Sequence, residues 1–515
     1  MTARTLMVQG TASSVGKSLV VTGLCRLFRR AGLVVLPFKA QNMALNSAVG
    51  VDGGEIGRAQ AVQAEAAGAE PCVDMNPVLL KPEGEARSQV VVRGRPIGSL
   101  GARDFQARKP ALRAVVRESL ARLRARADLL VIEGAGSPAE VNLRERDIVN
   151  MDVAHAADAP VLLVGDIDRG GVLAAFVGTL ELLEPADRAR VAAFVVNKFR
   201  GDVALLRPGL DFLTGRTGVP VLGVLPFLRG LRIADEDSVS LDDRGHGRPA
   251  RPGELDLAVV RFPRISNHDD LAPLEQEPGV NVRFVEGPAE LGEPDLVVLP
   301  GSKSTAADLA WLRASGLAEA VARRAAAGGR VLGLCGGCQM LGGAIVDPLG
   351  VESEVARCEG LGLLPFATRF EREKTTARVR ARLAATTFLG PAGLEAEGYE
   401  IHMGQLEPAP GARPATALRR QGGGPGEVAD GAVSADGAVV GTLVHGLFED
   451  DGLRAAFLSS LRAARGLAPP GGPAISTREA AYERLADAAL EHLDWALLTR
   501  LAGLDVARPA PWGGA

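Results

Sequence analysis

The sequence predicts an α/β chain with two parallel-sheet units in succession. Three observations carry that prediction. Short β-branched apolar runs alternate with helix-period stretches through roughly the first 240 residues, as expected of strands buried on both faces and joined by helices. The alternation breaks at Arg244–Glu254, a Gly-, Pro- and Arg-rich stretch without period, and restarts after it. The length, 515 residues, suits two to four domains at roughly 100–200 residues each.

The elements follow in order. Thr5–Gln9 reads as a strand, Lys17–Ala31 as a helix closed by Gly32, and Leu33–Phe38 as the next strand. Further strands are expected at Asp128–Glu133, Pro160–Val164, Val191–Val196 and Val219–Leu225, with helices at Ala111–Ala127 and Val172–Leu183 between them. The second unit opens with strands Leu255–Val260, Val280–Val285, Leu296–Leu299 and Arg330–Leu334. From about Gly360 shorter, antiparallel-looking runs take over; Pro408–Ser434 reads as a loop or hairpin and Thr477–Leu501 as a helical appendage. The expected domains are therefore 1–243 and 255–455, joined by a linker at 244–254 and followed by an appendage at 456–515.

Composition narrows the function classes. Apolar residues make up 47% and charged residues 23%, which excludes disorder as the main state. A net charge of −4 implies no polyanion-binding field, so nucleic acid is not an expected partner. Five cysteines form no disulfide framework, and no run reaches a membrane span, so a cytoplasmic enzyme is expected. Of 58 basic residues only seven are lysines: Lys17, Lys39, Lys81, Lys109, Lys198, Lys303 and Lys374. That skew makes each lysine's position worth following.

The first chemical motif is Gly10-Thr-Ala-Ser-Ser-Val-Gly16-Lys17-Ser18, between a strand and a helix. Such a loop curls backbone N–H groups round phosphate at a helix N-terminus. Thr11, Ser13, Ser14, Val15, Gly16, Lys17 and Ser18 are the expected ATP contacts, with Lys17 on the β/γ-phosphates and Ser18 on Mg²⁺. Five residues rather than four separate the two glycines. Glu133 ends a later apolar run and is a second candidate for Mg²⁺, because an acid at a strand's C-terminal edge faces the ligand crevice. Asp52 and Glu55 are further metal or substrate candidates.

The second motif is Arg330-Val-Leu-Gly-Leu-Cys335-Gly-Gly-Cys338-Gln, again strand, tight turn and helix. A thiol on such an elbow is exposed for attack, and the helix N-terminus favours thiolate. The Gly336 N–H is an expected oxyanion donor, and Gly301, after the strand Asp295–Pro300, a second. A redox or zinc role for the C-x-x-C pair remains open, although no second cysteine pair exists to complete a zinc site. The thiol needs a base. His445, ending an apolar run, is the expected one and His402 its rival; His155, His246, His268 and His492 lack comparable settings.

These motifs carry a resemblance. The long-spaced phosphate loop resembles the dethiobiotin synthetase type, and the Cys335 elbow with His445 resembles class I glutamine amidotransferases. Those usually carry Glu two residues after the His, where this chain has Leu447; the departure points to the cobyrinate-type subgroup, which works with Cys and His. Over about residues 4–465 the chain resembles the cobyric acid synthase family, through Phe38–Ala44, Glu55–Gln60, Met75–Pro82, Gly165–Gly171, Asn197–Asp202, Pro300–Thr305 and Tyr399–Gly404. The resemblance implies a P-loop synthetase domain followed by a class I amidotransferase domain. It also implies ATP, Mg²⁺ and glutamine as co-reactants, and amidation of the b, d, e and g carboxylates of adenosylcobyrinic acid a,c-diamide. For that polycarboxylate, Lys81, Arg58 and Arg169 are candidate contacts. Alternatives are a cobyrinic acid a,c-diamide synthase, or a partitioning-type P-loop ATPase with a silent second half; CTP synthetase pairs the same domain types but keeps the His-x-Glu that Leu447 breaks.

Overall fold

Alternating apolar runs in the first unit become one six-stranded parallel sheet. The computed structural model describes residues 2–83, 87–231, 233, 248–353, 355–424, 426–468 and 478–513. The strands are β1 (Arg4–Gly10), β2 (Val35–Phe38), β3 (Leu129–Glu133), β4 (Val161–Asp166), β5 (Val191–Phe199) and β6 (Val221–Pro226). Their order across the sheet is β6-β5-β4-β1-β3-β2, every pairing parallel. β1 is central, so the loop after it opens at the middle of the sheet's C-terminal edge, where open α/β sheets bind ligands. Helix α1 (Lys17–Arg30) packs on one face and α2 (Arg58–Ala67) lies beside it. Helix α3 (Ala102–Arg124) begins before the expected Ala111. Pro110, which reads as a helix start, is accommodated inside it.

The second unit has a parallel core sheet of β7 (Leu255–Val260), β8 (Val280–Val285), β9 (Leu296–Leu299), β10 (Arg330–Leu334) and, later in the chain, β13 (Val439–Thr442). Their order is β8-β7-β9-β10-β13, with the short strand Ala432–Val433 antiparallel at the edge. Between β10 and β13 runs an antiparallel ribbon, β11 (Phe366–Leu383) against β12 (Glu395–Pro408). The expected loop or hairpin at 408–434 contains the paired strands Thr416–Arg420 and Val428–Asp430, the first of which extends the ribbon. The two-residue strand β14 (Val444–His445) joins β12, which brings His445 under the ribbon.

Residues 244–247 of the expected linker lie outside the described residues. The appendage is not one piece. Helix α5 (Asp451–Ala464) stays with the second unit, where Leu453, Phe457, Leu458 and Leu461 enter its core. The helices α6 (Arg478–His492) and α7 (Trp495–Leu501) return to the first unit. There Ala486, Ala489, Leu490, Leu493 and Leu498 pack with Val20, Leu24, Leu27 and Phe28 of α1. Arg26 and Arg30 of α1 add ion pairs to Glu483 and Asp487 of α6. Alanines and leucines at helical spacing predicted the helices, but pattern alone does not name the surface they cover.

Candidate functional site

The loop after β1 turns on two left-handed residues, Ser14 (φ 58°) and Gly16 (φ 97°). At Gly16 a side chain is excluded twice over, because a Cβ would also lie 2.2 Å from Nδ2 of Asn197. Asn197 in turn donates to the carbonyl of Val15 (2.8 Å), and Lys198 donates to that of Ser14 (2.8 Å) while pairing with Asp166 (2.7 Å). The Thr11 N–H is bonded to the carbonyl of Val164 on β4. Lys17 crosses the loop to the carbonyls of Ala12 and Gly136, at 3.0 and 3.1 Å. The loop is thus propped by β4 and β5.

Ser18 donates to Glu133 at 2.9 Å. Glu133 is buried at the end of β3, and its carboxylate also meets Lys39 (2.8 Å) and Gln63 of α2 (2.5 Å). A hydroxyl and a carboxylate oxygen side by side at a phosphate loop suit Mg²⁺, which takes hard oxygens from few protein groups plus phosphate and water. Asp52 does not join this pair: it is exposed, and its oxygens accept from the backbone N–H groups of Gly54 and Val73. Among the described residues no cluster of three or more His, Cys, Asp or Glu could hold a metal by itself.

The second unit builds its elbow differently. Cys335 follows β10 with φ 48° and ψ −109°, and helix α4 (Gly336–Leu341) starts at the next residue. A non-glycine residue with positive φ is strained. Tight packing holds it there: a Cβ on Gly337 would lie 1.9 Å from the carbonyl oxygen of Leu299, and one on Gly336 2.7 Å from the N of Ser302. Gly336 is the first helical residue, so its N–H has no acceptor within the helix. Gly301 lies against the histidine, its ideal Cβ 3.4 Å from Cε1 of His445.

His445 is fully buried between two partners. Cys335 acts on the imidazole from one side, and on the other Nδ1 meets Oδ2 of Asp270 at 2.6 Å. Oδ1 of Asp270 accepts from the Gly446 N–H at 2.8 Å, so both oxygens of the acid are fixed. Burial alone would lower the imidazole pKa; the charges of Asp270 and Cys335 overcome it and push the value up to about 10. Tyr399 stacks on the ring, 5.3 Å between centroids and 19° between planes. The rival His402 points elsewhere: Nδ1 faces the carbonyl of Gly404 and Nε2 faces Glu400, itself paired with Arg420. Cys338 is fully buried and its thiol pKa is pushed well up, first by burial, then by Asp430 and Cys335.

Asp270 is the residue that sequence reasoning missed. It precedes His445 by 175 positions, in the short turn His268–Leu271. Its one local signal was a pair of acids, Asp269-Asp270, in a run otherwise apolar or neutral. Glu449, close to His445 in sequence, is turned instead to Arg478 of α6.

The substrate candidates fall in different places. Arg169 is exposed near Asp166. Lys81 is buried, and with Lys374 of β11 it closes on the single carboxylate of Glu55. Burial pushes Lys374 down to about 8, with Glu55 opposing. Arg58, at the start of α2, is buried against the second unit, paired with Asp269 (2.6 Å) and bonded to the Tyr399 hydroxyl.

Comparison with known proteins agrees with this two-part construction. A CobQ/CobB/MinD/ParA nucleotide binding domain model matches residues 6–241, and a CobB/CobQ-like glutamine amidotransferase domain model matches residues 256–453. Cobyric acid synthase of Sorangium cellulosum is 66% identical over 98% of this chain and 100% of its own length. The proteins of that name from Pelotomaculum thermopropionicum and Moorella thermoacetica are 52% and 51% identical, each over 99% of both chains.

Proposed function

The chain belongs to the cobyric acid synthase family, and from that premise we propose that it converts adenosylcobyrinic acid a,c-diamide to adenosylcobyric acid. Four carboxylates, b, d, e and g, are amidated, each at the expense of one glutamine and one ATP. The observation that carries this reading is the presence, in one chain, of a nucleophile–base–acid line at Cys335, His445 and Asp270 and a phosphate loop backed by Glu133.

In the glutaminase half, His445 takes the thiol proton and Cys335 attacks the glutamine carboxamide carbon. The N–H groups of Gly336 and Gly301 stabilise the oxyanion. The C–N bond breaks as His445 returns the proton to the leaving nitrogen, releasing ammonia. Water then hydrolyses the thioester to glutamate and free thiol. Asp270 holds the imidazole by Nδ1, leaving the other nitrogen for the thiol, and stabilises the imidazolium.

In the synthetase half, the loop Thr11–Ser18 orients the ATP phosphates, with Lys17 as the cation nearest the transferred group. Ser18 and Glu133 are the residues suited to hold Mg²⁺, which when bound neutralises phosphate charge. The γ-phosphoryl group passes to a substrate carboxylate, giving an acyl phosphate and ADP; ammonia displaces phosphate to leave the amide. Among the described residues no helix is long and apolar enough to cross a membrane; we place the enzyme in the cytoplasm.

The test is stoichiometric. Purified protein with ATP, Mg²⁺, glutamine and the a,c-diamide should release four glutamates and four phosphates per corrinoid, and mass spectrometry should show four successive acid-to-amide conversions. Amidation of cobyrinic acid at a and c instead would establish the diamide synthase alternative. No ATP-dependent glutamate release with either corrinoid would exclude both.

A further inference from the structure

The turn that supplies Asp270 is gripped, residue by residue, by the other unit. Asn267 donates to the carbonyl of Ser47 (3.1 Å). His268 meets the side-chain amide of Asn46 (3.3 Å). Asp269 pairs with Arg58 at 2.6 Å. Only the fourth residue, Asp270, faces the catalytic histidine. Ser47, Asn46 and Arg58 all belong to the ATP-binding unit, and every one of these side chains is buried.

Arg58 makes a second approach to the same histidine. It is hydrogen-bonded to the Tyr399 hydroxyl, and its guanidinium carbon lies 5.2 Å from the centroid of that ring. Asn267 donates to the same hydroxyl at 2.9 Å. Tyr399 is the ring stacked on His445. The guanidinium therefore bears on the imidazole along two lines, through Asp269 to the backbone of Asp270 and through Tyr399 to the ring face. Five residues further along α2, Gln63 is bonded to Glu133 beside the phosphate loop. One helix thus touches the supports of both reaction centres.

We propose that Arg58, a residue of the synthetase unit, is a positioning residue for the glutaminase: it sets the orientation of His445 through Asp269 and Tyr399 and contacts no reacting atom. Arg suits the task because its planar fork can pair with a carboxylate and a phenol at once, which a point charge on a flexible stem does less well. This inference rests on the proposed glutaminase roles of Cys335 and His445.

The experiment uses the full-length enzyme and compares two nitrogen sources. Arg58→Gln should lower kcat for glutamine hydrolysis at least tenfold and change the KM for glutamine by less than threefold. Amidation with ammonium salts should stay within about threefold of the wild type, because neither the phosphate loop nor the corrinoid carboxylates depend on His445. Arg58→Lys should recover part of the lost kcat. Tyr399→Phe removes one hydroxyl with little change of shape; it should reduce kcat three- to tenfold with the same insensitivity of KM, and it supplies the answer if Arg58→Gln fails to fold. Equal loss with glutamine and ammonium would overturn the proposal by placing Arg58 at the corrinoid or ATP. So would unchanged glutamine kcat in Arg58→Gln, or in Tyr399→Phe where that variant decides. Absence of amidation by the wild type with either source would reject the synthase reading instead.

Discussion

The phosphate loop and the thiol elbow share one plan. Each follows a central parallel strand and each opens a helix at the sheet's C-terminal edge. Each also needs a residue in the left-handed region. They fill that position differently. The loop uses Gly16, where Asn197 leaves no room for a Cβ, and so keeps a side chain from that position out of the anion's space. The elbow puts Cys335 there and holds it against the strain with close contacts at Gly336 and Gly337. A cradle for a bound phosphate needs main-chain donors, whereas a site of covalent attack needs a side chain pushed outward. The same turn serves both according to which residue takes the positive φ.

Breaking each turn's chemistry should separate the halves cleanly. Cys335→Ala removes the proposed nucleophile and should reduce glutamine-dependent amidation by about 10⁴-fold or more, while amidation with ammonium salts continues. Lys17→Ala should lower activity by about 10²–10³-fold, the scale of losing a charge that stabilises a phosphoryl transition state, with glutamine and ammonium alike. Comparing the two variants under both nitrogen sources distinguishes supply of ammonia from its use.

The acid behind the histidine sharpens the contrast, since the loop has no equivalent relay. Asp270→Asn should cost about a hundredfold in glutamine kcat, the lower end of what positioned general acid–base catalysis contributes. It should also move the pH profile. In the proposed mechanism His445 gives its proton to the leaving nitrogen, and it loses that proton as pH rises through its raised pKa of about 10. Removing the charge of Asp270 takes away the leading upward influence, so the alkaline limb should shift to lower pH. A limb that stays in place would exclude His445 as its origin. Gly16→Ala combines backbone strain of about 1–3 kcal/mol with a clash against Nδ2 of Asn197, and should raise the KM for ATP at least about tenfold in steady-state assays.

The sequence made the contiguous parts of both sites readable and hid the dispersed ones. Gly10–Ser18 and Arg330–Gln339 could be read because strand, turn and helix follow without interruption. Glu133 and His445 were found as polar residues terminating apolar runs. Asp270 escaped because its partner is 175 positions away and nothing local distinguishes a carboxylate that fixes a histidine from one that faces water. The lysine skew was informative in a way that motifs were not. Lys39 and Lys198 brace the phosphate site, and Lys81 lies in the contact between units. Lys374, which fell in no motif, pairs across that contact with Glu55. Asp52 accepts from backbone N–H groups in a turn, an arrangement that looks the same in sequence as an Asp that binds an ion.

The return of α6 and α7 to the first unit has a consequence for how the protein is made. The face of α1 around Gly23 and Phe28 meets Leu485 of α6 and Trp495 of α7, which come late in the chain. A ribosome that has finished β6 must add roughly 250 more residues before that cover exists, which takes on the order of 10–50 s at ordinary elongation rates. Through that interval the ATP-binding unit carries an apolar stripe that only a chaperone or the advancing nascent chain can shield. A message truncated before Arg478 therefore yields a product open to aggregation and proteolysis, even though all the catalytic residues named above are present in it.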